Sequence, residues 1–182
     1  MLSKFKDIRF DTLKVYSPPD IEGEYHGLVL DSNEALLFPK EIYEANFIDP
    51  PGLFGIYKFR IDNKLLGLIA RTPSEYMPSS IKLFFFDEAK NTIVSYLELA
   101  ENWGDAGDGY TKDSWLFRGA DNHLLSLVWV YESHDNSVDD ESDTTIQEWN
   151  HYYLLDIMKQ RSDTINKDEK FLLKKYYNLL NK

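Results

Sequence analysis

The chain has 182 residues, 43% of them apolar and none of them Cys, which is the size and hydrophobicity of one globular domain able to bury a core without a disulfide or metal staple. Absence of Cys excludes a disulfide framework, a thiolate metal site and a Cys nucleophile. With 31 acidic against 20 basic side chains the net charge is −11, so the surface repels nucleic-acid phosphates and anionic lipid, and nucleic acid is not an expected partner.

Met1 to Phe10 carries Lys4, Lys6, Asp7 and Arg9 and lacks the continuous apolar stretch of a secretory signal. With Met1 as native start the expected location is the cytoplasm; removal of a preceding signal or lipid-attachment segment would leave the same reading for an exported or lipid-anchored protein. Leu13–Tyr16, His26–Leu30 and Ala35–Phe38 are expected as strands, broken by Ser17-Pro18-Pro19 and Asp31-Ser32-Asn33. Pro39–Asn46 is expected as a short helix with Pro39 in its first turn. Asp49-Pro50-Pro51-Gly52 then forces an extended or turned connection.

From Phe54 onward short alternating segments are separated by turn residues, the pattern of an antiparallel meander. Phe54–Ile61 and Lys64–Arg71 form a hairpin around Asp62-Asn63, two residues that tolerate the positive φ of a tight turn. Ile81–Phe86 and Thr92–Ala100 flank the polar loop Asp87–Asn91, and Ser114–Phe117 joins His123–Glu132 through Gly119-Ala120-Asp121-Asn122. A further strand falls within Ile146–Met158. Two of these segments, Ile81–Phe86 and Leu124–Tyr131, are apolar on both faces, so they are expected to be central and covered on both sides by the N-terminal segment and the C-terminal helix. The Leu124–Tyr131 run is also the longest apolar one, far short of the roughly 18 residues that a membrane-spanning helix needs.

That helix follows a loose capping-box spacing, Asn166 with Glu169, and carries Phe171, Leu172, Leu173, Tyr176, Tyr177, Leu179 and Leu180 mostly on one side. Residues 159–182 carry +4 and the rest of the chain −15, a complementarity that favours docking of the helix on an acidic body. The fold class is therefore mainly β: an antiparallel meander of about seven strands, as a curved sheet or a sandwich, with N-terminal additions and one C-terminal helix.

Chemical motifs are sparse. Gly104-Asp105-Ala106-Gly107-Asp108-Gly109 lacks the Gly-Lys-Ser/Thr ending of a phosphate loop, and its two carboxylates repel phosphate. Asp105, Asp108 and Asp113 carry oxygens that suit Ca²⁺, but the spacing fails the EF-hand pattern, because the third and fifth positions from Asp105 are Gly107 and Gly109. Asp135, Asp139, Asp140, Glu141 and Asp143 form a denser acidic run that fails the same pattern and reads as a self-repelling loop. His26, His123, His134 and His151 show no zinc-ligand spacing, and no Gly-x-Ser-x-Gly elbow is present. No metal or cofactor is expected. Trp115, Trp129 and Trp149 fall within expected strands as packing residues, whereas Trp103 stands at a strand end beside the glycine cluster, where an indole can stack on a ligand.

The functional expectation is a non-enzymatic binding or interaction module. Trp103, Asp105, Asp108 and Asp113 are its candidate ligand residues, and the acidic run 135–143 its candidate contact for a basic protein surface or cationic ligand. Two alternatives stand beside it: a hydrolase using a carboxylate acid/base pair, and a carbohydrate-binding domain using exposed aromatics. A deep pocket holding two carboxylates in opposed environments marks the first, and a flat aromatic strip the second.

Overall fold

The computed structural model describes residues 1–18, 24–43, 52–73, 80–158 and 161–181. Eight strands follow one another as hydrogen-bonded neighbours: β4 (Phe54–Arg60), β5 (Leu65–Thr72), β6 (Ser80–Asp87), β7 (Thr92–Asp105), β8 (Asp108–Arg118), β9 (Leu124–Asp135), β10 (Ile146–Met158) and β11 (Arg161–Asn166). Three short N-terminal strands complete a mixed sheet of eleven strands among the described residues. β1 (Lys6–Asp7) pairs parallel with β4, β3 (Leu28–Val29) pairs antiparallel with it, and β2 (Thr12–Val15) pairs with β8. Among the described residues the sheet is not closed.

The pivot of the sheet is β7. Its first part pairs with β6 through Ala100, and its last five residues, Glu101–Asp105, pair with Lys112–Asp108 of β8. Register shifts near Val94 and Leu99 add twist to this strand. Beyond the point where β7 leaves β8, Thr12–Val15 takes its place beside Ser114–Phe117. The sheet thereby folds over on itself: Ile69, Ile81, Leu83 and Phe85 of one half pack with Leu116, Leu124 and Ile157 of the other.

Both expected covers are in place. Phe84 and Phe86 point away from that shared core and are covered by Leu30, Ala35, Phe38 and Ile42, with the Phe38 ring edge-on to Phe84 at 4.8 Å. On the other half Trp115, Leu127 and Leu154 are covered by Leu172 of α3 (Glu169–Lys175), together with Tyr176 and, from α4 (Tyr177–Leu180), Leu179 and Leu180. Two-sided burial explains why these strands lack the polar alternation of a sheet with one wet face.

Several local expectations are corrected. Ala35–Phe38 is not a strand: Asp31 accepts from the backbone N–H groups of Asn33 and Glu34, the Glu34 carboxylate accepts from Asp31 N–H, and this capping box starts α1 (Ser32–Ala35). The short helix α2 (Lys40–Tyr43) follows Pro39; residues 44–46 and 49–51 of the expected helix and proline segment lie outside the described residues. In the β4–β5 hairpin neither Asp62 nor Asn63 takes positive φ; Asp62 instead accepts from the N–H groups of Lys64 and Leu65, which stabilises a longer turn. The cap of α3 is Asp168, not Asn166, whose side chain accepts from Asp168 N–H. The C-terminal helix is also interrupted, at Tyr176.

The glycine cluster is a two-residue hairpin, not an open loop. Asp105 pairs with Asp108, and Ala106 and Gly107 between them have φ of 47° and 91°. Positive φ at both central residues is the signature of a type I′ turn, which Asn-Gly fits better than Ala-Gly. Ala106→Asn is therefore expected to stabilise the fold, on the order of 0.5 kcal/mol, since a left-handed alanine is strained. Gly107→Ala should destabilise it, because the new Cβ would stand 2.6 Å from Val138 Cγ2. Paired thermal melts check both signs.

Candidate functional site

Because the 106–107 turn and the Gly119–Asn122 turn fix the registers on either side of β8, four strands run beyond the shared core as a lip. The lip consists of Glu101–Asp105 of β7, Asp108–Lys112 of β8, Val130–His134 of β9 and Gln147–His151 of β10. In a sheet, residues directly opposite one another share a face about 4.8 Å apart. Trp103 is opposite Tyr110, Tyr110 opposite Glu132, and Glu132 opposite Trp149. One rung thus places a carboxylate between aromatic rings.

The Trp103 and Tyr110 rings are stacked, with centroids 5.4 Å apart and planes at 10°. These four residues, with Asp108, Gly109, Ser133 and His151, line an open groove of about 430 Å³. His151 Nε2 lies 3.6 Å from Glu132, and its Nδ1 is 3.7 Å from Glu169 of α3. Burial pushes the Tyr110 phenol upward, and the carboxylates of Glu98, Glu101 and Glu132 add to the shift, so the hydroxyl is a neutral donor at physiological pH.

In the next rung Asp105, Asp108, His134 and Gln147 are in line. His134 Nδ1 lies 2.7 Å from Asp108 Oδ1, and Nε2 lies 3.1 Å from Asp139 Oδ2. A carboxylate can only accept, so a carboxylate on each ring nitrogen requires both to carry hydrogen: the imidazolium form. Those two hydrogen bonds, first the one to Asp108, raise the His134 pKa above its ordinary value. The acidic stretch that follows is organised locally. Asp135 accepts from the hydroxyl and N–H of Ser137, Asp140 from those of Ser142, and Asp143 from those of Thr145, and these hydrogen bonds, the hydroxyl ones first, hold all three carboxyls below their usual range.

Of the expected ligand residues the structure brings Trp103 and Asp108 into the groove, and Asp105 opposite Asp108 beside it. Asp113 is elsewhere, buried, with Lys14 Nζ at 3.4 Å; burial raises its pKa and Lys14 opposes the shift. Asp139 joins the site through His134. Tyr110, Glu132, Trp149 and His151 were not legible as site residues, because only cross-strand register assembles them. Among the described residues no cluster of three or more His, Asp or Glu has a geometry that could hold a metal ion.

His134 gives a pH signature. A raised folded pKa means that its contribution to holding the acidic loop is fully present below the unfolded value and is lost as pH rises through the folded one. Hydrogen exchange across Asn136–Thr145 should accelerate beyond its intrinsic base dependence over that window. In His134→Ala the extra step should be absent.

Compared with known protein families, curated proteins and solved structures, the chain matches none.

Proposed function

We propose that the protein is a non-catalytic binding module whose lip takes a cationic ligand. The observation that carries this reading is the rung Trp103–Tyr110–Glu132–Trp149, in which a carboxylate stands in register between aromatic residues. Aromatic faces and carboxylates together favour an organic cation over an anion or a neutral group. The net charge of −11 adds long-range attraction of the same sign. Asp108 and Glu132 have side chains about half exposed on an open groove, which does not supply the contrasting environments of an acid/base pair. Glu132 interrupts the row between Tyr110 and Trp149, and the Trp103 and Tyr110 rings stack on each other, so the rung is not the flat aromatic strip that a carbohydrate platform requires.

Tryptophan fluorescence titration tests this. Tetramethylammonium should give a saturable, salt-sensitive change, and Glu132→Gln should weaken binding on the order of tenfold, about 1.4 kcal/mol. Saturation by an uncharged oligosaccharide with no response to the cation would overturn the reading.

A further inference from the structure

The two lateral edges of the sheet are treated differently by the fold. At one end β4 has its outer side covered from Phe54 to Lys58 by β3 and β1. At the other, β11 pairs with β10 only from Leu154 to Met158, while β9 pairs with β10 from Ile146 through Ile157. Among the described residues, Ile146–Tyr153 therefore has a strand on one side only, and no other backbone hydrogen bond reaches it. Ile146 is 62% and Trp149 43% exposed, and residues 144–151 are all open to solvent.

Natural sheets protect such an edge with Lys, Pro, a bulge or a covering segment. The sequence Ile-Gln-Glu-Trp-Asn-His-Tyr-Tyr from 146 to 153 has no Lys, Arg or Pro, and its register with β9 is unbroken. A row of unpaired N–H and C=O groups beside pockets for alternate side chains is the arrangement by which sheets recruit an extended chain.

We propose that an extended, basic segment of a partner protein adds to this edge of β10 as a further strand. The proposal rests on the cation-binding reading of the lip and deepens it by naming the form in which the cation arrives. A Lys or Arg placed opposite Trp149 becomes the next member of the rung, with its cation over the exposed indole and Glu132 one strand further in. On the reverse face no cation is required, because the Glu148 carboxylate there already accepts from the Tyr131 hydroxyl. Glu169 of α3, standing by His151, bounds the free stretch at its far end. Charge selects against a second copy, since self-pairing would bring two strongly acidic lips together.

The probe is a ten-residue peptide amide of alternating Lys and Val, compared with the same peptide N-methylated at every residue, which keeps its charges and side chains but loses its backbone donors. The unmodified peptide should bind, slow exchange of alternate amides between Ile146 and His151 on the order of tenfold or more, and outbind the methylated one by a similar factor. Equal binding of both peptides, or binding of tetramethylammonium without binding of the unmodified peptide, overturns strand addition while the cation reading stands. Failure of tetramethylammonium and both peptides removes the cation reading, and the strand proposal falls with it. Self-association of the free protein that protects the same amides assigns the edge to a second copy and also overturns the proposal.

Discussion

Ending the chain after Ile165 is expected to lower the melting temperature by well over 10 °C, because the C-terminal helices are the outer cover of half the sheet. Their removal leaves Trp115, Leu127 and Leu154 without Leu172, and Phe117 without the Tyr176 ring 5.3 Å away. Leu172 is fully buried. Leu172→Ala alone should cost about 2–5 kcal/mol through lost transfer energy and the cavity left behind. By contrast Phe171 and Tyr177 are exposed on the outer side of the same helices, and their replacement by Ser should change stability little. An unchanged melting curve for the truncated chain would mean that the tail is not part of the fold. A larger loss from Tyr177→Ser than from Leu172→Ala would mean that the opposite face of the helix is the docked one.

The helical cover was legible in the sequence for a physical reason: an apolar stripe with a +4 tail must be placed against something, and two strands apolar on both faces needed covering. Strands β4 to β10 were legible too, since alternation and turn residues report local geometry directly. What escaped was whatever depends on register or on partner strands. Glu101–Asp105 and Asp108–Lys112 are polar and glycine-rich and read as loop, yet a tight turn at 106–107 pairs them as strands. β11 is short and mostly polar, and it lies against Leu154–Met158 without an alternating pattern of its own. For α1 a signal was present: Asp31 followed three residues later by Glu34 is a capping-box pattern, and it outweighed the apolar run of Leu36, Leu37 and Phe38. Glu132 and Trp149 lie 17 residues apart, and only the β9–β10 register makes them neighbours.

The same dependence on register conceals a charged network where β7 passes from β6 to β8, and its disruption is the second large effect expected. Glu98 receives Lys112 Nζ at 3.1 Å, Lys82 Nζ at 3.3 Å and the Ser80 hydroxyl at 3.1 Å, while Lys82 also donates to Ser80 and to Thr72 Oγ1. The side chains of Lys82 and Lys112 are only 12% and 13% exposed. Burial works to raise the Glu98 pKa, but Lys112 and Lys82 together outweigh it and hold the carboxyl below its ordinary value. Lys82 shares its carboxylate with Lys112, so burial prevails there and its pKa is lowered.

Glu98→Ala would leave two poorly solvated ammonium groups without their shared hydrogen-bonded carboxylate, with Glu101 the more distant attraction left to Lys82, at a cost of roughly 3 kcal/mol, the low end for breaking a buried pair. The pH dependence follows in sign. The stability that Glu98 contributes is present above the unfolded carboxyl value and is lost as pH falls through the depressed folded one, so the variant should lose part of the acid transition. In the variant burial of Lys82 is opposed by the Glu101 carboxylate but no longer by Glu98, so its folded pKa falls further. Stability should then recover as pH rises from that value towards the ordinary lysine range. Replacing Lys82 by Met, Glu98 by Leu and Lys112 by Met together should cost much less than Glu98→Ala alone, because apolar groups of similar volume remove the desolvation penalty along with the attraction. Denaturant unfolding of the two variants across pH decides it: equal losses, with no alkaline recovery in Glu98→Ala, would mean that the packing of these side chains, not their charge, stabilises the crossing.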